Sequence, residues 1–248
     1  MDRWSPTLLP ERCDSGVMRV VSVNVGLPRD VVWRRRTVST GIFKEPVDGP
    51  VHVAGVNLAG DLQADLEVHG GPDKAVYAYR AEHYGPWQRE LGRSLPWGMF
   101  GENLTVEGMP TEDHISIGDR LRVGTAEFQV TQPRLPCYKL GIRFADSGMV
   151  RRFHEAGRTG FYLRIIRDGD VAAGDPIEFL ARDPNTVAIS EITRLYQRDG
   201  VDAQAIRRLL AVQALPESWR AELEELLDQV TSTTGEQTKT VGPQGPRS

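Results

Sequence analysis

Cysteine is nearly absent from this chain of 248 residues, which has only Cys13 and Cys137. Two cysteines so far apart, one of them in a polar leader, exclude a disulfide framework and make a reducing cytoplasmic location the expectation. The same scarcity leaves nothing to hold an iron–sulfur cluster. Long apolar runs are missing too, so no membrane span is expected. Positive charge is not in surplus. The formal net charge is −4, which gives no global electrostatic reason to bind nucleic acid. The opening residues, MDRWSPTLLPERCDSGV, lack the basic start and apolar stretch of a signal peptide. A Walker-type loop is absent, which removes support for an ordinary nucleoside triphosphate site. So is a Gly-x-Ser-x-Gly elbow, which removes support for a serine hydrolase. Five scattered histidines beside one usable cysteine give no zinc-ligand spacing. Nothing in the sequence calls for pyridoxal phosphate.

What is present begins with short strand-like runs. Residues 18–25 (MRVVSVNV), 37–44 (TVSTGIFK), 50–58 (PVHVAGVNL) and 74–80 (KAVYAYR) are rich in Val and alternate in polarity. Residues 81–92 read as a short helix closed by Gly92. Strand patterns return at 102–108, 119–124, 126–132, 160–167 and 176–182, separated by Gly, Pro and Gly-Asp turns. Many short strands at this spacing predict a mostly β, barrel-like domain with a few short helices, an α+β fold.

After about residue 184 the period changes. Ile189, Ile192, Leu195 and Tyr196 share one helical face. So do Ala205, Ile206, Leu209 and Leu210, with Asp202 as N-cap. Pro216 starts a third helix whose stripe is Trp219, Leu223, Leu226, Leu227 and Val230. None of the three would bury its face alone, so they are expected to form a mini-bundle or dock on the barrel. The organisation is therefore read as a disordered leader (1–17), a β domain (18–183), a three-helix domain (184–230) and a disordered tail (231–248).

Cys137 lies in QPRLPCYKLGIRF. Free cysteine most often ends as a small buried hydrophobe. Here Pro136 favours an extended loop end, and Arg134 and Lys139 supply cations that favour a thiolate. On these residues alone a packed and a functional Cys137 stand about level. Residues 134–167 hold eight basic residues against Asp146 and Glu155 only. Such a run is either a solvated face or a seat for an anion. Gly70, Gly71 and Pro72 form a tight turn flanked by His69 and Lys74, and two adjacent glycines let backbone amides approach a ligand. Local sequence also fits a plain turn. Asn103, in WGMFGENLTVEG, either contacts a ligand or satisfies its own backbone.

Taken together, TGIFKEPVDGPVHV, LEVHGGPDKAVYAYRAEHYGPW, GMFGENLTVEG, IGDRLRVGTAEFQVTQPRLPCYKL and GRTGFYLRIIRDGDVAAGD resemble the MOSC domain family. The stand-alone branch with a small helical extension is the nearest in pattern, and the resemblance covers about residues 18–230. It implies a β-barrel-like fold that binds the molybdenum cofactor, molybdopterin. It implies that Cys137 coordinates molybdenum and is the catalytic position. It also implies reduction of N-hydroxylated purine bases and hydroxylamines, with electrons from a separate flavin or iron–sulfur protein. A soft thiolate suits such a metal. On that footing Lys44, Arg134 and Arg164 are expected to hold the cofactor, with Lys74, His69 and Asn103 nearby and the Gly70–Gly71 amides facing it. No nucleic-acid or membrane partner is expected, and the protein would be a monomer or homodimer. Two other classes stay open: a cofactor or sulfur carrier using Cys137, and a metal-free thiol enzyme with His69 as base. The helical domain is either a stabilising lid or a docking surface for the reductase.

Overall fold

The computed structural model describes residues 17–63, 70–196 and 203–237. Its elements, in chain order, begin with β1 (Arg19–Val25), the hairpin β2 (Arg29–Trp33) and β3 (Arg36–Thr40), β4 (Glu45–Val47), β5 (Val51–Ala54) and β6 (Asn57–Leu58). A 3-10 turn at Pro72–Lys74 leads to β7 (Val76–Arg80), α1 (Tyr84–Leu91), β8 (Leu104–Glu107), β9 (Arg120–Val123) and β10 (Ala126–Pro133). Then come α2 (Tyr138–Phe144), α3 (Met149–Ala156), β11 (Phe161–Arg167), β12 (Gly169–Val171) and β13 (Ile177–Ala181). The chain closes with α4 (Ile189–Tyr196), α5 (Ala203–Leu210) and α6 (Glu217–Gln237).

Eight strands form one sheet in the order β13-β9-β10-β11-β7-β8-β1-β4. All neighbours are antiparallel except β7 and β8, which run parallel because α1 crosses between them. The sheet curls until β1 meets the run before β13. Arg19 bridges to Pro176. Val20 N–H donates to Asp175 O at 2.9 Å, Ile177 N–H to Met18 O at 2.8 Å, and Gly174 N–H to Val20 O at 2.8 Å. These bonds make a seam, so the expected barrel exists as a curled sheet closed at one end of β1 and not as a full ladder.

β7 shows how one alternating pattern serves two cores. Val76 and Ala78 point into the barrel and join its aliphatic cluster. Tyr77 and Tyr79 point outward into an aromatic layer with Tyr84, Trp87, Phe100, Phe144 and Phe153. α2 and α3 bind to this layer through Leu140, Phe144, Met149 and Phe153. That packing fixes the loop carrying Cys137, which enters α2. The barrel cluster also contains Val187, Ile189, Ile192, Ile206, Leu209, Leu215, Trp219 and Leu223. The helices therefore share the barrel's core.

Several expectations need correction. Residues 37–44 do not form one strand: β3 stops at Thr40, and Gly41–Lys44 is a loop. β2, and with it the hairpin β2–β3, the short strands β4 and β12 and the helices α2 and α3 are absent from the sequence reading. The hairpin turns at Arg34 and Arg35, both with positive φ (49° and 66°), where glycine or asparagine would normally signal the turn. Strand and helix contribute about equally among the described residues, because six helices accompany the strands. α6 continues to Gln237, into the stretch read as a tail. Cys13, His69 and Asp202 lie outside the described residues.

Candidate functional site

β10 rises out of the barrel with its last residues, Thr131–Pro133, all buried, as is Arg134 just after it. Pro133 and Pro136 then keep the chain extended until Cys137, whose backbone (φ −121°, ψ 174°) opens the first turn of α2. This places Cys137, half-buried, at the wall of a cavity between the Gly41–Lys44 loop and the 3-10 turn at Pro72–Lys74. The cavity measures about 730 Å³ with its open mouth. It brings together Lys44, Lys74, Asn103, Arg134 and Cys137, which are scattered over the sequence. Lys139 also lines it, and Asp61 is the only acidic side chain there among the described residues.

The Gly98–Asn103 loop supports this wall. A Cβ on Gly98 would sit 2.8 Å from Lys44 O, and one on Gly101 would sit 2.9 Å from Ile42 Cγ1. With φ of +77° and +83°, both positions require glycine. Glu102, fully buried, accepts from Tyr84 OH, from Thr105 Oγ1 (2.9 Å) and from the amides of Gly98 (3.0 Å) and Phe100 (3.1 Å). Burial still holds its carboxyl above the usual range.

Lys44 is buried against Asp61, which accepts from its ammonium, from Asn103 Nδ2 (2.8 Å) and from Gly26 N–H (3.0 Å). Burial pulls the Lys44 pKa down, and Asp61 only partly restores it. Much of the Lys44 charge is therefore spent inside the protein. Asn103 is likewise engaged: its Oδ1 accepts Tyr77 N–H at 3.0 Å. Its role is to join β7 to the Asp61 network at the cavity wall.

Arg134 differs. It is 5% exposed, and its Nη1 has no hydrogen-bond partner. The guanidinium lies 5.3 Å from the ring centres of Tyr77 and Phe153. Burial acts to lower its pKa, but a guanidinium starts so far above neutral pH that it stays a cation. Burial also raises the pKa of Tyr77 and Tyr162, keeping both hydroxyls protonated at neutral pH. A buried donor without a partner ordinarily costs about 1–3 kcal/mol. Arg134 also lines the cavity, so its cation is a candidate to meet an anionic ligand there.

Two expected cofactor contacts are placed elsewhere. Arg164 turns its guanidinium onto Asp73, with Nε at 2.7 Å from Oδ1, and stands outside the cavity lining. Its charge braces the 3-10 turn. Gly71 N–H is taken by Gln63 Oε1 at 2.8 Å, so that amide is not offered to a ligand. Gly70 lines a second, adjoining cleft. Asp61, Gln63, Tyr77 and Tyr162 were not anticipated. Asp61 and Gln63 sit in GDLQ, which reads as an ordinary turn, and the tyrosines read as strand residues. Among the described residues no group of three or more His, Cys, Asp or Glu side chains could hold a metal ion by itself. A metal at Cys137 would have to bring most of its ligands with it.

Comparison with known proteins gives a consistent picture. Residues 65–178 match the family model described as the MOSC domain, and residues 187–229 match the YiiM-like 3-alpha helix domain. YflK of Bacillus subtilis (strain 168) is 43% identical over 202 residues, covering 82% of this chain and 91% of that protein. The crystal structure of YiiM from Geobacillus stearothermophilus superposes with a TM-score of 0.71 at 34% identity, covering 85% of this chain and 99% of the other. A protein of Gibberella moniliformis named as a reductase is 30% identical over 168 residues, covering 66% of this chain but 30% of that longer protein.

Proposed function

Because the chain belongs to the MOSC domain family, in its YiiM-like branch, we propose that it is a molybdenum-cofactor-dependent reductase of N-hydroxylated compounds. MOSC domains are associated with this cofactor, and the Gibberella relative is named a reductase. The observation that carries the reading is one juxtaposition. The single cysteine among the described residues opens onto a cation-lined cavity that holds a buried, incompletely bonded arginine.

The residues present fit the group. Cys137 offers one soft sulfur donor suited to molybdenum. Arg134 offers an unused N–H to an anionic oxygen, and Lys74 and Lys139 add positive charge at the same wall. When bound, the cofactor supplies the two-electron chemistry. The chain's own work is to bind and orient. Cys137 fixes the metal side of the ligand, Arg134 the anionic side, and the Lys44–Asp61–Asn103 network keeps the wall rigid between them. The overall change is R–NH–OH + 2 e⁻ + 2 H⁺ → R–NH₂ + H₂O, in which the N–O bond breaks and nitrogen is reduced. The electrons come from a separate flavin or iron–sulfur protein, since two cysteines cannot hold a cluster.

The test is metal content. Wild type and Cys137→Ala, purified from a host that makes the cofactor, are compared by elemental analysis and for hydroxylamine turnover with a chemical reductant. Molybdenum in the wild type and its loss in the variant, together with loss of turnover, are expected. Equal metal in both would remove Cys137 from the site. Metal bound at Cys137 without turnover of any N-hydroxylated substrate would instead make the protein a carrier.

A further inference from the structure

β2 and β3 form a two-stranded sheet of their own, apart from the main sheet. Cross-strand pairing puts Arg29, Val31, Trp33, Arg36 and Val38 on one face of it. Arg34 and Arg35 make the turn, both with positive φ. A two-residue turn of this kind is ordinarily Asn-Gly. Two arginines there store backbone strain in an exposed tip, and strain of this sort persists where function maintains it. Within the hairpin Arg29, Arg34, Arg35 and Arg36 stand against Asp30 alone. All four arginines are exposed, and none makes an ion pair among the described residues. Trp33 is half-buried beside them, with the Arg34 guanidinium 5.8 Å from its ring centre.

The base of the hairpin leads to the candidate site. The Arg29 guanidinium lies 3.6 Å from the ring centre of Phe43, and that of Arg143, from α2, lies 5.1 Å from the same ring. Phe43 belongs to the Gly41–Lys44 loop. Thr40, where β3 ends, lines the Cys137 cavity together with Gly41, Ile42 and Lys44. Cations therefore run from the hairpin tip to the cavity wall.

We infer that the β2–β3 hairpin is the docking surface for the electron donor, and that the donor is a protein with an acidic face whose carboxylates meet Arg29, Arg34, Arg35 and Arg36 around Trp33. The inference rests on the reductase reading for the partner's being an electron carrier. Arginine and tryptophan are the residues that most often carry binding energy at protein interfaces. The chain as a whole has a net charge of −4. An acidic partner is therefore repelled by the molecule at large and drawn to this one projection, which orients it. A hairpin rooted in the cavity wall then holds the carrier beside the cofactor site.

The experiment uses two acidic electron carriers as probes, a flavodoxin and a [2Fe–2S] ferredoxin. The first variant combines Arg34→Asn with Arg35→Gly. It removes two charges while giving the turn its preferred residues, so the hairpin is not weakened. The second is Arg36→Glu. Calorimetry measures carrier binding to the full-length protein at low and high ionic strength. Hydroxylamine turnover is measured with each carrier and with dithionite. At least one carrier is expected to bind the wild type, more weakly as salt rises. Each variant should weaken that binding about tenfold and raise KM for the carrier to match. Turnover with dithionite should stay unchanged. Binding of neither carrier, or equal affinity in all three proteins, overturns the inference. So does an equal fall in turnover with carrier and with dithionite. Tighter variant-sensitive binding to phosphatidylglycerol vesicles than to either carrier also overturns it, and makes the hairpin a membrane contact. Variant-sensitive carrier binding with no reduction of hydroxylamine by any route upholds the acidic-protein surface and overturns the reductase reading instead.

Discussion

At the scale of single residues, Arg134 and Cys137 divide the candidate site between them. Arg134 is buried with Nη1 unbonded, which is costly for the ligand-free protein and useful to the loaded one. Arg134→Met keeps the volume and removes the unpaired donor. The cofactor-free variant is therefore expected to match or exceed the wild type in thermal midpoint. Cofactor retention should nevertheless fall, by about 2 kcal/mol or roughly thirtyfold in affinity, for loss of one hydrogen bond to a charged group. Thermal scans and pterin release on dialysis read the two effects separately. Cys137 and Arg134 were singled out by a cysteine flanked by cations together with the family resemblance, and the structure brings both to one cavity. Asp61 was not, since an acid after glycine looks like any turn. Its meaning appears only when Lys44, seventeen positions earlier, is brought against it. Arg164 illustrates the reverse case. It belongs to a genuine basic run, but its partner Asp73 sits across the β11 register and could not be read from composition.

At the scale of elements, the segments that position the site were the hardest to read. α2 contains Gly141 and follows two prolines, so its sequence looks like a loop, yet Leu140 and Phe144 bind it to the aromatic layer. α3 was hidden inside the charge run: Arg151 and Arg152 face outward while Met149 and Phe153 are buried. Tertiary packing, not propensity, makes both helices. The strands β1, β7 and β11 were legible because β-branched and aromatic residues dominate them. The turn before α1 adds a pH-sensitive bond. His83, in the 3-10 turn that precedes α1, meets Glu112 at 2.9 Å, and Glu112 also accepts Gly160 N–H at 2.9 Å. Burial alone would raise the Glu112 pKa, but His83 and the Gly160 amide outweigh it and hold the carboxyl below its ordinary 4.5. A depressed acid stabilises the fold above its unfolded value, and the benefit is lost as pH falls through the folded value. Glu112→Gln should therefore cost about 2 kcal/mol at neutral pH. The gap to wild type should narrow as pH drops below 4.5. Urea unfolding across that interval measures it.

At the scale of the whole molecule, the helical domain and the barrel are one folding problem. Ile189, Ile192, Ile206, Leu209, Trp219 and Leu223 belong to the same apolar cluster as Val20, Leu121 and Phe128. Removing residues 184–248 would strip cover from barrel side chains, each worth about 1.5–3 kcal/mol when buried. The truncated chain is expected to lose solubility or show a much lower thermal midpoint. Turnover with a protein donor and with a chemical reductant should fall together. A truncated chain with undiminished stability would mark the helices as an accessory. The seam of the barrel carries a different consequence, one of timing. β1 is made early and finds β4 soon after, yet its other edge waits for β8 and its seam waits for the run at Gly174–Ile177, near the end of the domain. Until those late residues appear, the growing sheet has bare edges that can pair with any other chain. Such distant pairings also form slowly. The yield of soluble protein is thus set by a race between seam closure and edge-to-edge association during synthesis.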